Sequence, residues 1–407
     1  MLSADDALSF LLARARPANK IEHIATADVL GRVLAERLTS VVNVPPLDNS
    51  AMDGYAVRIA DIVNASTRLR VTQRIPAGTV GQPLEAGQAA RIFTGAPVPA
   101  GCDAVVMQEY CGAEGDTVTI SKHPKMGENI RRSGEDIAIG AEILPAGIRL
   151  RPQEMGLAAS AGIAILPVYR KLKVATFFTG DEIVMPGEPL KPGQIYNSNR
   201  FVLTGLLQAL GCEVVDLGIV PDDFAATVKV LETAATGADL IITSGGVSVG
   251  EEDHVKAAVE SVGKLDLWKI AIKPGKPLAF GEVGHGEEWQ KVPFIGLPGN
   301  PVSAFVTFCL FVRPFILRSQ GITATAPQAF SLKADFDWLK PDKRREFLRA
   351  RLHTADNGEV GVHLYPNQGS GVLTSTVWAD GLVEVPEGMP IHRGETVKFL
   401  PFSGLIN

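Results

Sequence analysis

Asp239-Leu240-Ile241-Ile242-Thr243-Ser244-Gly245-Gly246-Val247-Ser248-Val249-Gly250-Glu251-Glu252-Asp253-His254 is the stretch on which the reading of this chain turns. Leu240-Ile241-Ile242 is an apolar run too short for a helix and reads as a buried strand. Ser244-Gly245-Gly246 breaks it. Paired glycines reach backbone angles closed to other residues and let a ligand approach the main chain. Glu251-Glu252-Asp253 then opens a helix, at the end where acids are favoured. A strand, a glycine turn and a helix start together form an anion pocket, because free N–H groups and the helix dipole point into the turn. Carboxylates beside that pocket favour a phosphate bridged to a cation over a phosphate alone. An ordinary tight turn with capping acids fits the stretch equally well.

On either side the same pattern recurs. Apolar strands are expected at 172–178, 213–219, 240–243, 268–272 and 293–297, with helices at 199–210, 223–236, 253–262 and 301–319. Alternating strands and helices predict a parallel sheet covered on both faces. Ligands bind such sheets beyond the carboxyl ends of the strands. Each strand is followed there by a polar turn: Thr179-Gly180-Asp181-Glu182, Pro221-Asp222-Asp223, Ser244 to Asp253, Lys273-Pro274-Gly275-Lys276-Pro277, and Pro298-Gly299-Asn300-Pro301. One such turn says little. Five of them, rich in carboxylates, lysines and glycines, predict a binding or catalytic site at one edge.

The chain opens with an amphipathic helix over 3–16, capped by Ser3 and ended by Pro17. A second helix is expected from about Thr26. Prolines and polar residues at 45–50 predict a loop, which reads as a site loop or as a linker. Short alternating runs from 68 to 137 predict a β-rich unit. It holds Thr94-Gly95-Ala96-Pro97 and the charged run Arg131-Arg132-Ser133-Gly134-Glu135-Asp136. The arginines suit a phosphate, although a solvated charge cluster is the commoner meaning of such a run. The helical pattern returns over 151–166, so the β-rich unit reads as an insertion. Short β runs after 322 predict a barrel or sandwich, with Gln368-Gly369-Ser370-Gly371 as its polar glycine turn, read most simply as a hairpin turn. The fold class is therefore α/β plus β. A helical unit covers 1–44 and 138–168, an inserted β-rich unit 45–137, a three-layer α/β unit 169–321, and a C-terminal β-barrel 322–407.

Composition bounds the function. The 407 residues are 46% hydrophobic and 21% charged, as in globular proteins, and the net charge of −6 gives no nucleic-acid footprint. Four scattered cysteines contain no C-x-x-C pair, which fits a reducing compartment without structural zinc. Asp5 and Asp6 come early and no apolar run follows a basic start, so no signal peptide is expected. No apolar stretch reaches the ~20 residues that span a bilayer. The expected setting is the cytoplasm, with no membrane and no nucleic-acid partner. Nucleophile elbow, HExxH and Walker A motifs are all missing, and the glycines do not space as G-x-G-x-x-G. What remains is an oxyanion site. Lys269, Lys273 and Lys276 supply positive charge. Glu182, Asp222 and Asp253 are hard oxygen ligands suited to Mg²⁺ at a phosphate or pyrophosphate.

The chain resembles the molybdopterin molybdenumtransferases of bacterial molybdenum cofactor synthesis, which are related to the E domain of gephyrin. The resemblance runs along the whole chain. It rests on the motifs at 48–56 (Asp-Asn-Ser-Ala-Met-Asp-Gly-Tyr-Ala), 94–97, 130–136, 179–182, 244–253, 273–277 and 297–301. It implies a molybdopterin-binding α/β fold and a four-domain, L-shaped homodimer whose active site is shared between chains. It implies adenylylated molybdopterin and molybdate as substrates, AMP as product and Mg²⁺ as cofactor, with the molybdopterin adenylyltransferase as a candidate partner. Carried over by motif, Glu182, Asp222 and Asp253 surround the pyrophosphate and metal. Ser244, Gly245, Gly246, Ser248, Pro298 and Pro301 line the substrate turns. Lys269, Lys273 and Lys276 meet phosphate or molybdate, and Ser370 reaches in from the last domain. Asp53, Thr94, Arg131 and Asp136 come from the partner chain. Two rival readings remain. An adenylyltransferase of related fold carries Thr-Gly-Gly-Thr-Gly where this chain has Ser244-Gly245-Gly246-Val247-Ser248. A gephyrin-like scaffold has no need of charged groups converging on one edge.

Overall fold

The computed structural model describes residues 1–17, 20–247, 254–285, 290–354 and 358–406. At its centre the run Leu240–Ser244 is a strand buried along its whole length. It lies inside a six-stranded sheet ordered Glu213–Val220, Lys173–Thr179, Leu240–Ser244, Gln290–Leu297, Pro277–His285, Gly263–Lys269. The first four strands are parallel, and the last two each run antiparallel to their neighbour. Gly263–Lys269 therefore points the same way as the parallel strands, and its carboxyl end lies at the same edge.

Strand alternation sorts the core onto two faces. Val174 and Phe178 pack with Leu203, Leu207, Val302 and Val306 on one side. Ala175 and Phe177 pack with Leu231, Val255 and Val259 on the other. Each fully buried side chain of this kind contributes roughly 1.5–3 kcal/mol relative to exposure, so the sheet is the rigid frame from which the turns project. Helices Ser198–Ala209, Phe224–Ala235 and His254–Val262 form as the sequence leads one to expect, with Asp223 capping the second through a bond from Ala226 N–H. The long helix Pro301–Ser319 is interrupted by a π turn at Phe308–Val312. It is the one described helix long and apolar enough to cross a membrane. With 89% of its most apolar 18-residue window buried, its apolar surface faces the core.

The inserted segment forms a six-stranded sheet ordered Ala104–Met107, Gly54–Val57, Gln88–Ile92, Thr67–Ile75, Thr117–Ile120, Cys111–Glu114. The C-terminal segment closes a five-stranded barrel from Phe330–Ala334, Arg345–Thr354, Val360–Leu364, Gly381–Val385 and Thr396–Pro401, because Arg345–Thr354 pairs with both Val360–Leu364 and Gly381–Val385. The short strand Ile272–Lys273 leaves the α/β unit and joins this barrel beside Arg345 and Glu346.

Four expectations change. No helix forms from Thr26: a strand Ile21–Ala25 and a 3-10 turn Thr26–Asp28 stand there, and Gly31 turns the chain at φ +75°. The unit expected to be helical thus holds one helix after residue 20, Pro152–Ser160, among short strand pairs. The first helix, Ala4–Leu12, packs Ala4, Ala7 and Leu11 into the core of the α/β unit. The strand placed at 268–272 splits into Gly263–Lys269 and Ile272–Lys273. Finally, strands Pro277–His285 and Phe330–Ala334 escape the sequence reading. The first carries glycines in place of an apolar run, and the second alternates with mostly exposed residues.

Candidate active site

The carboxyl edge of the central sheet is built from turns locked to one another. Gly245 has φ +97° and Gly246 φ +62°, in the left-handed region that favours glycine. A Cβ on Gly245 would collide with the Thr179 carbonyl, and one on Gly246 would lie 2.7 Å from Thr179 Oγ1. The buried Ser244 hydroxyl donates to the Pro298 carbonyl at 2.9 Å and accepts from Asn199 Nδ2 at 2.8 Å. The same Asn199 amide donates to the Gly299 carbonyl at 2.8 Å. Asn199, which the sequence reading missed, thereby ties the two glycine turns in register. Ser248 and Asp253 lie outside the described residues.

The acidic turns stand beside this lock. Asp222 N–H donates to Asp181 Oδ1 at 3.3 Å, which joins the turn carrying Glu182 to the turn carrying Asp222. Glu182 is exposed and folds its carboxylate over Gly180, where a Cβ would lie 2.5 Å from Glu182 Oε2. Among the described residues no three His, Cys, Asp or Glu side chains form a metal-sized cluster. The donors present are carboxylate oxygens, which suit a hard cation.

A second wall comes from the barrel. The loop 273–277 packs on the helix that begins at Pro301: a Cβ on Gly275 would collide with Thr307 Oγ1. The loop around Ser370 meets the same helix, its Ser370 carbonyl accepting from Val302 N–H at 3.0 Å. It is therefore no simple hairpin turn. Between the two loops lies a cavity of about 260 Å³ lined by Lys273, Trp338, Glu346, Arg349, Gln368 and Gly369 among others. Arg349 is fully buried. It donates to Ser375 Oγ at 3.1 Å, the Phe347 carbonyl at 3.4 Å and the Gly369 carbonyl at 3.2 Å. All three partners are neutral, and burial pulls its guanidinium down to about 10. A buried cation bonded only to neutral groups keeps its field for an anion in the adjoining cavity. Lys273 holds its Nζ 2.8 Å from Glu346 Oε1 and 3.7 Å from Asp342 Oδ2. Lys269 is half-buried at the end of its strand, and Lys276 is exposed. Arg349 and Glu346 were invisible in the sequence because the groups that place them at this cavity, Gly369 and Ser375 for Arg349 and Lys273 for Glu346, lie far away in the chain.

The remaining expected residues sit in the inserted unit. Asp53 Oδ1 accepts from both the N–H and the hydroxyl of Thr94 at 2.8 Å. The Thr94 amide and hydroxyl hold this carboxyl below the usual range, with a smaller contribution from Arg91. Arg131 and Asp136 are exposed. Arg132, by contrast, is committed to Asp48 at 2.6 Å. The hydrogen bonds of Asp53, Thr94, Arg131 and Asp136 all end on residues 44–137. Among the described residues none of them reaches the turns of the central sheet.

Comparison with known proteins accounts for all three regions. Residues 2–162 match the MoeA N-terminal region (domains I and II), residues 175–318 a probable molybdopterin binding domain, and residues 331–402 the MoeA C-terminal region (domain IV). A molybdopterin molybdenumtransferase of Haemophilus influenzae is 42% identical over 409 residues, spanning 100% of both chains. The chain belongs to the molybdopterin molybdenumtransferase family. Another family member, from Nostoc, is 38% identical over 91% of this chain and 86% of its own. The crystal structure of the molybdopterin biosynthesis moeA protein of Pyrococcus horikoshii superposes with a TM-score of 0.83 at 30% identity, covering 98% of this chain and 100% of that one. The family likeness thus extends through the barrel and the inserted unit, the parts that a lone α/β domain lacks.

Proposed function

We propose that this protein inserts molybdenum from molybdate into adenylylated molybdopterin with release of AMP, a transferase step of molybdenum cofactor synthesis. The observation that carries the reading is the lock of Ser244 and Asn199 between the two glycine turns, with Asp222 and Glu182 on the adjoining turns. A pyrophosphate laid along these turns meets main-chain N–H groups from the glycines and positive charge from Lys269, Lys273 and Lys276. Tetrahedral molybdate suits the cavity whose cations are Lys273 and Arg349. Ser370 directly follows Gly369 of its lining and is tied through its carbonyl to the helix that begins at Pro301. The rigid turns orient the phosphoryl groups, which is where most of the catalysis of phosphate chemistry resides.

Glu182 and Asp222 offer the carboxylate oxygens that would hold Mg²⁺, with Asp253 as the third member of the set. Bound there, the ion would neutralise charge on the pyrophosphate as its bond breaks. Among the described residues Asp53, Thr94, Arg131 and Asp136 bond within their own unit, which supports a homodimer in which a second copy of the chain brings them to the substrate. The Thr94 bonds keep Asp53 ionised and fix its free oxygen for a donor on the substrate.

The test is substitution at the acidic turns. Asp222→Ala and Glu182→Ala each reduce AMP release from adenylylated molybdopterin by at least about a hundredfold, while the melting temperature stays near wild type. Turnover within twofold of wild type in both variants contradicts the assignment.

A further inference from the structure

Glu346 is a buried acid of the barrel, 1% exposed, at the point where the strand Ile272–Lys273 joins the barrel wall. Its Oε2 accepts from Trp338 Nε1 at 2.9 Å and from Asp342 N–H at 2.8 Å. These two bonds fix the carboxylate and turn Oε1 toward Lys273 Nζ, 2.8 Å away. The other nearby acid, Asp342, is taken up by Arg344 at 2.9 Å. Glu346 therefore acts on Lys273 from the opposite domain. It lines the same cavity as Lys273 and Arg349, which then presents two cations and one anion.

An oxyanion entering this cavity meets a lysine already paired. Lys273 keeps 43% of its side chain exposed, so its ammonium has room to turn away from Glu346. A doubly charged oxyanion offers it more charge than one carboxylate. The pair holds the lysine in place without substrate and is given up when the oxyanion binds.

We propose that Glu346 is a positioning residue that competes with the oxyanion for Lys273, and so sets how tightly a tetrahedral dianion such as molybdate is held. The exchange also couples occupancy of the cavity to the contact between the α/β unit and the barrel, since Lys273 and Glu346 lie on adjoining strands of the two. This rests on the proposed function.

Glu346→Gln tests it. A glutamine keeps an oxygen for Trp338 and Asp342 N–H but removes the charge. The expected result is a Kd for molybdate alone, measured on the full chain by equilibrium dialysis, about fivefold lower than wild type. In the AMP-release assay the KM for molybdate falls to a similar degree while kcat stays within about twofold. In a Lys273→Met background the effect of Glu346→Gln disappears. Trp338→Phe, which removes one of the bonds orienting the carboxylate, moves the KM the same way but less, and serves if the glutamine variant does not fold. A KM that is unchanged or raised, or an equal effect without Lys273, overturns the inference, since a structural role alone lowers the melting temperature and leaves KM in place. A wild-type protein that binds no molybdate and releases no AMP overturns the proposed function, and this inference with it.

Discussion

Gly245, at φ +97°, brings its Cα against the Thr179 carbonyl, so that no side chain fits between the two turns. Gly245→Ala adds one methyl group in a backbone region unfavourable to alanine and against a rigid carbonyl. It should lower stability by about 2 kcal/mol or more in urea unfolding, and displace the Ser244 hydroxyl from Pro298. A loss below about 0.5 kcal/mol would mean that the turn relaxes and is not the fixed cradle described. This residue-level constraint was legible in the sequence, because paired glycines directly after a short apolar run mark a sharp turn at a strand end. Asn199 was not. Nothing in Ser198-Asn199-Arg200 marks its amide as the bridge between Ser244 and Gly299, since both partners arrive only when the sheet is assembled. Lys273 was legible as a cation but not as the partner of Glu346, because an ion pair between distant segments leaves no local pattern.

At the scale of elements, the inner parallel strands Lys173–Thr179 and Leu240–Ser244 announced themselves as apolar runs because both of their faces are buried. The helices between them followed from their periodicity and from caps such as Asp223. The antiparallel strand Pro277–His285 did not, since Gly281 replaces a side chain where the neighbouring strand comes close at Lys264. The Thr26 segment misled for a related reason: Val29, Leu30, Val33 and Leu34 have helical spacing, but Gly31 bends the chain and leaves Leu30 62% exposed. What joins this segment to the α/β unit is Arg149. It donates to the Gly31 carbonyl at 3.1 Å, the Leu210 carbonyl at 3.2 Å and Gln320 Oε1 at 2.9 Å. Burial depresses its pKa, so the charge is costly to hold and the neutral acceptors around it offset that cost. Arg149→Met strands acceptors in a half-buried seam and should cost about 1–3 kcal/mol in urea unfolding. An unchanged midpoint would assign the union of the two units to apolar packing alone.

At the scale of the whole molecule, the proposed site is divided between surfaces whose described residues make no hydrogen bond to each other within one chain. Asp53, Thr94, Arg131 and Asp136 lie on the inserted unit, while Asp222 and Glu182 lie on the central sheet. If a second copy completes the site, two inactive variants can rescue each other. Mixed and allowed to exchange subunits, Asp53→Ala and Asp222→Ala proteins should recover about a quarter of wild-type turnover, because half of the dimers are mixed and each keeps one intact site of two. No recovery despite proven exchange would place both residues in one chain's site. The central claim is the reaction itself, and AMP release from purified adenylylated molybdopterin in Mg²⁺ buffer tests it most directly. The account predicts release that rises with molybdate and is slow without it. Release at the same rate with and without molybdate, or no release from substrate that is bound, would contradict it.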